Sequence, residues 1–164
     1  MLGRLLREES VALDPEPPPL PEDCDPASTR ATRLRREWWI GLCGELLDRT
    51  GHVAHLRRLT EDLLNREKRA TMLLGGGLAL PHVRTMQARE LAAAAIVWRH
   101  GCDLDAPDGE PVRLVLCVVS PPYDDQTYLR LYKRLAVALR DTELLEWLSS
   151  VERPGEVVRL LANV

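Results

Sequence analysis

Val112-Arg-Leu-Val-Leu-Cys-Val-Val119 is β-branched and almost wholly apolar, bounded by Pro111 on one side and Pro121-Pro122 on the other. These eight residues read as a central strand buried on both faces. A strand of that kind sets the architecture, because it must be covered above and below. Upstream, Leu91-Ala-Ala-Ala-Ala-Ile-Val-Trp98 is a second apolar run. Its alanines favour helix. Its length, and the turn at Gly101 and Asp103, suit a buried strand, so both readings stay open. Asp105-Ala-Pro-Asp-Gly109 between the runs is a turn signal.

Outward from that strand the period becomes helical. Asp124 or Asp125 is a helix N-cap, followed by Leu129, Tyr132, Leu135, Ala136 and Leu139 as an apolar stripe. Glu143 to Ser149 and Pro154 to Ala162 read as two short helices, the second with Pro154 in its first turn. On the N-terminal side, Arg30 to Arg49 repeats Leu34, Trp38, Leu42 and Leu46 every fourth residue, with Trp39, Cys43 and Leu47 beside them. Trp38 and Trp39 point ~100° apart on a helix, which puts one in the core and leaves the other partly exposed. Gly51 is a stop. Leu56, Leu59, Leu63 and Leu64 mark a second helix ending near Asn65-Arg66-Glu67-Lys68. Ser10 to Asp14 is a short first strand. The expectation is one α/β sandwich over residues 1–164.

Composition narrows the function classes. The chain has 164 residues, 45% of them apolar, with no Phe and four Trp. Its net charge of −3, from 22 basic and 25 acidic residues, argues against a nucleic-acid binder that works by neutralising phosphates. No apolar run approaches the ~20 residues that span a bilayer. The first residues have neither a long apolar stretch nor a small-residue cleavage site, against a signal peptide. Cys24, Cys43, Cys102 and Cys117 form no CxxC pair, so no zinc site is expected. Scattered thiols point to a reducing compartment, the cytoplasm. Residues 15–27 hold six of the twelve prolines. They read as an extended surface loop in preference to a polyproline ligand for a partner.

One stretch carries chemistry: Arg66 to Arg84, with Thr71-Met-Leu-Leu-Gly-Gly-Gly-Leu-Ala-Leu-Pro-His82-Val-Arg84. Short strands flank a glycine turn, and His82 stands where the second strand ends. Gly75, Gly76 and Gly77 let the backbone approach a ligand and form an anion nest. Arg66 and Arg84 offer planar, permanently charged donors for phosphate oxygens. Neutral His82 offers a nitrogen lone pair. Together these parts can move a phosphoryl group onto an imidazole by positioning and fixed charge. The plainer reading also stands: a glycine run makes a turn, and a histidine at a strand end is hydrogen-bonded and inert. No Walker lysine follows the glycines. His52 and His55 read as surface residues, His100 and Cys102 as turn residues, and Arg33, Arg35 and Arg36 as a solvated face.

Arg66-Glu67, followed by Gly75-x-Gly77-Leu-Ala-Leu-Pro-His82-x-Arg84, resembles enzyme IIA of the fructose/mannitol type in the bacterial phosphoenolpyruvate:sugar phosphotransferase system. The nitrogen-related regulatory branch is included. The likeness runs from about Glu37 to Leu161 and weakly over Ser10 to Asp14. It implies a mixed β-sheet flanked by helices on both faces. It also implies that His82 accepts phosphate on Nε2 from the histidine-containing phosphocarrier protein, with no metal and no cofactor. Arg66 corresponds to the arginine near the phosphate, and Thr71, the three glycines, Arg84 and Tyr128 fall around it. The recipient is a IIB component or a regulatory target. Because no IIB or membrane IIC segment is fused to this chain, the regulatory version is expected. Three departures stand out. The family's Gly-Ser-Thr is Ala70-Thr71-Met72, its second histidine is Tyr128, and the 15–27 segment replaces a direct link from strand to helix. A non-catalytic interaction module that keeps the fold is the alternative.

Overall fold

The structure is a computed structural model that describes residues 2–164. A short helix α1 (Leu2–Leu5) and a 3-10 turn (Glu8–Ser10) precede β1 (Val11–Leu13). Then come α2 (Thr29–Asp48), α3 (Leu56–Arg69), β2 (Leu73–Gly75), β3 (Leu78–Ala79) and β4 (His82–Arg84). The chain continues through β5 (Ala92–Cys102), β6 (Val112–Ser120), α4 (Asp125–Ala138), α5 (Thr142–Leu148) and α6 (Pro154–Ala162).

β6 is the axis of a six-stranded sheet. It pairs antiparallel with β5 on one edge. On the other edge it pairs parallel with β3, at Leu114 and Val115, and then with β4, at Val118 to Ser120. β1 adds parallel to β5, and β2 antiparallel to β3. The sheet is therefore mixed.

The alanine run resolves as strand. Its ladder with β6 runs from Ala92 opposite Val119 to Val97 opposite Leu114. Helix propensity is worth at most ~0.7 kcal/mol for an ordinary residue, less than pairing with a central strand and burial on both faces supply. Side chains alternate across the sheet. Ala92, Ala94, Ile96 and Trp98 face α2 and α3, together with Val115, Cys117 and Val119. Ala93, Ala95 and Val97 face α1, α4, α5 and α6, together with Leu114, Leu116 and Val118. Helices thus cover both faces.

Two helical stripes are rotated from their expected positions. On α4 the buried residues are Leu131 and Leu135, continued by Leu139 past its end, while Leu129 and Tyr132 are 53% and 37% exposed. On α2 they are Trp39, Ile40, Cys43, Leu46 and Leu47, with Trp38, Leu34 and Leu42 only partly covered. On α2 the buried stripe mixes i+3 and i+4 steps, which an every-fourth-residue pattern misses, whereas on α4 it runs in i+4 steps. The proline-rich segment lies along α2. The indole N–H of Trp98 donates to the Pro15 carbonyl at 2.7 Å, and Arg35 donates to the Pro26 carbonyl at 3.1 Å. Arg35 also grips both oxygens of Asp105, at 2.7 and 2.8 Å. Leu20 and its neighbouring prolines face Leu34 and Trp38 across a pocket of ≈ 250 Å³.

Candidate active site

His82 opens a strand of its own and does not close the one before. Leu80-Pro81 interrupts the edge of the sheet, so β3 stops at Ala79 and β4 starts at His82. The Pro81 carbonyl still accepts from Val118 N–H at 2.9 Å, which holds the break against β6. The break turns the Leu80 carbonyl onto His82 Nδ1, 2.8 Å away. A carbonyl can only accept, so Nδ1 carries the hydrogen and Nε2 keeps its lone pair. Burial, and secondarily the charge of Arg66, holds the imidazole below the ordinary histidine pKa, against the opposing effect of the Leu80 bond. The ring is therefore neutral and nucleophilic at pH 7.

Arg66 comes from the last turn of α3, where carbonyls lack helical partners. Its Nη1 donates to the Ala70 carbonyl at 3.2 Å, and a cation there is favoured by the helix dipole. Arg84 lies two residues beyond His82 on β4, and so on the same face of that strand. It pairs with Asp125 in the first turn of α4. Arg66 and Arg84 also line, with Arg69, Asn65 and Gln87, a cleft of ≈ 480 Å³.

α4 supplies the aromatic side of the site. Asp124 caps it by accepting from Thr127 N–H at 3.3 Å, which aims Tyr128 at His82 with ring centroids 6.0 Å apart. Burial, and then neighbouring Tyr132, pushes the Tyr128 phenol up to about 12, although Arg66 and Arg84 pull the other way. Tyr128 stays protonated at neutral pH. Sequence reasoning missed Tyr132, whose ring lies nearer still, at 5.2 Å. Its signal was the i, i+4 spacing from Tyr128, which places both on one helix face. The assumed apolar stripe assigned Tyr132 to the core instead.

The glycines lie farther along the sheet than His82, and the Thr71 hydroxyl is bonded to other partners. Leu78, next to the triplet, pairs with Leu114, whereas His82 pairs with Val118. Four residues of strand at ~3.3 Å each separate them. Gly75, Gly76 and Gly77 have φ of +83°, +61° and +80° and make the β2–β3 turn. Gly76 N–H donates to Asp108 Oδ2 at 2.8 Å, so the nest already holds a carboxylate of this chain. The Thr71 hydroxyl donates to Glu67 Oε1 at 2.7 Å and accepts from Leu73 N–H at 3.2 Å. Glu67, buried, also takes Met72 N–H at 2.6 Å. The Met72 sulfur in turn lies 3.3 Å from His82 N. Glu67, Thr71 and Met72 thus support the histidine from below.

The family described as "Phosphoenolpyruvate-dependent sugar phosphotransferase system, EIIA 2" matches residues 34–164. The chain is 27% identical over 116 residues to the fructose-specific EIIABC component of Bacillus subtilis, covering 71% of this chain but spanning only 18% of that protein's length. Among solved structures it resembles the nitrogen regulatory protein IIA-Ntr of Neisseria meningitidis, with a TM-score of 0.75 and 28% identity over 98% of both chains. The Escherichia coli mannitol enzyme IIA, solved in complex with phosphorylated mannitol enzyme IIB, shares the fold at a TM-score of 0.67 and 22% identity, over 97% of this chain and 98% of that one. A match through four-fifths of the sequence, ending in the same architecture, places the chain in the EIIA 2 family of the phosphotransferase system.

Proposed function

We propose that this chain is a phosphocarrier that accepts a phosphoryl group on His82 Nε2 from the histidine-containing phosphocarrier protein. The observation that carries the reading is the Nδ1–H bond to the Leu80 carbonyl, which fixes the tautomer and leaves Nε2 free. In the transfer, the Nε2 lone pair forms a bond to phosphorus while the donor's phosphorus–nitrogen bond breaks, and the donor imidazole keeps that electron pair. Charge spreads over the equatorial oxygens in such a transition state. Arg66 offers fixed positive charge to it, and Tyr128 offers a neutral O–H donor. The regulatory version is favoured, because likeness to IIA-Ntr extends over the whole chain at 28% identity. The phosphorylation state would then be read by a target protein. Delivery to a IIB component for sugar uptake is the second reading, suggested by the complex solved for the mannitol enzyme.

The test is phosphorylation of the purified protein with phosphoenolpyruvate, enzyme I and the phosphocarrier protein, read by intact mass. One acid-labile phosphoryl group is expected, absent in His82→Ala. No phosphoryl group, from a donor active on another acceptor, would instead support an interaction module.

A further inference from the structure

Two tyrosines close over His82. Tyr128 and Tyr132 stand one helical turn apart, their rings 6.5 Å from each other and inclined by 25°. Tyr132 is the nearer to the imidazole and sits at the rim, 37% exposed. The two rings enclose, with the imidazole, Leu80, Val118, Leu131 and Leu135, a space of only ≈ 10 Å³. That is at the lower limit for one water. That space is too small to bring water to His82, so water must come past the rim, where Tyr132 is exposed.

We infer that Tyr132 is a positioning residue whose ring walls the phosphoryl group on His82 from water and so sets the lifetime of the phosphorylated state. The inference rests on the phosphocarrier reading above. The competing reaction is hydrolysis. Water oxygen attacks phosphorus, the phosphorus–Nε2 bond breaks, and its electron pair returns to Nε2. With Nδ1 keeping its hydrogen, the products are neutral His82 and dihydrogen phosphate, which carries both protons of the water. An aromatic ring beside the phosphoryl group slows this by displacing the water around it until a partner docks. A long-lived phosphoryl group suits a chain that reports a state more than one that relays phosphate quickly.

The experiment uses potassium phosphoramidate, a small phosphoryl donor that loads histidine without a partner protein. The full chain and its Tyr132→Ala, Tyr132→Phe and His82→Ala variants are loaded, freed of donor, and followed by intact mass at pH 7. Thermal unfolding confirms that each variant is folded. Tyr132→Ala is expected to shorten the half-life of the phosphoryl group by about 2- to 10-fold, the rate equivalent of one aromatic contact. Tyr132→Phe should retain the full half-life, because the ring and not the hydroxyl excludes water. Equal half-lives for the full chain and Tyr132→Ala would overturn the inference while leaving His82 as acceptor. Loss in Tyr132→Phe as large as in Tyr132→Ala would also overturn it, by assigning the effect to the hydroxyl. No label that depends on His82 would overturn both this inference and the phosphocarrier reading.

Discussion

At the scale of single residues, His82 is prepared by what surrounds it. Its depressed pKa means that the lone pair persists below the ordinary histidine value of ~6.5. The rate of phosphoryl acceptance from phosphoramidate should therefore stay flat as pH falls through that value, declining only at lower pH. A pH–rate profile checks this, and a fall centred on the ordinary value would contradict it. The sign for stability follows. Below the ordinary value the unfolded chain takes a proton that folded His82 refuses, so stability falls with pH in that window, and His82→Ala should flatten the fall. Arg66→Ala should slow phosphorylation about 10²-fold, the cost of one preorganised electrostatic contact, with the domain still folded. Full speed would reject the role. Tyr128→His replaces a phenol that stays neutral with a group that titrates near ~6.5. It should speed transfer or prolong the phosphorylated state below that pH, and no change would mean that the phenol substitutes without loss.

At the scale of elements, the loop after α3 is held by one buried acid. Glu67 accepts from both Thr71 and Met72, and Met72 supports the strand break that orients His82. Glu67→Ala should cost about 1–3 kcal/mol, the usual penalty for orphaned buried polar groups, measured by urea unfolding. It should also slow phosphorylation, because the support under β4 loosens. Stability equal to wild type would show that the loop needs no anchor. The Gly75–Gly77 turn belongs to a different element. Its left-handed backbone serves the hairpin, and its Gly76 N–H is taken by Asp108, 32 residues away in sequence.

At the scale of the molecule, the proline-rich segment is tied to two distant elements. Trp98 on β5 holds its start, and Arg35 on α2 links its end to the 103–109 turn. Arg35→Ala should expose the strap to a Glu-specific protease at Glu16 or Glu22 and lower global stability by only about 1 kcal/mol. Phosphorylation of His82 should be unaffected, since these contacts lie on the α2 edge. Protection equal to wild type would mean that proline packing alone secures the strap.

Legible in the sequence were the central strand and the helices that cover it, with His82 and Arg66 as candidate site residues. Those signals are local: a valine- and leucine-rich, almost wholly apolar run, N-cap aspartates, and a Pro-His pair between arginines. The tertiary structure decided whatever depends on residues far apart. The Ala92–Ala95 run became strand because β6 lay beside it. On α4, packing on the sheet chose Leu131 with Leu135 and left Leu129 and Tyr132 exposed. Asp108 claimed the glycine turn, and Tyr132 came to His82, only through folding. Local propensity is written in neighbouring residues, whereas a site is assembled by long-range contacts whose partners no window of sequence contains.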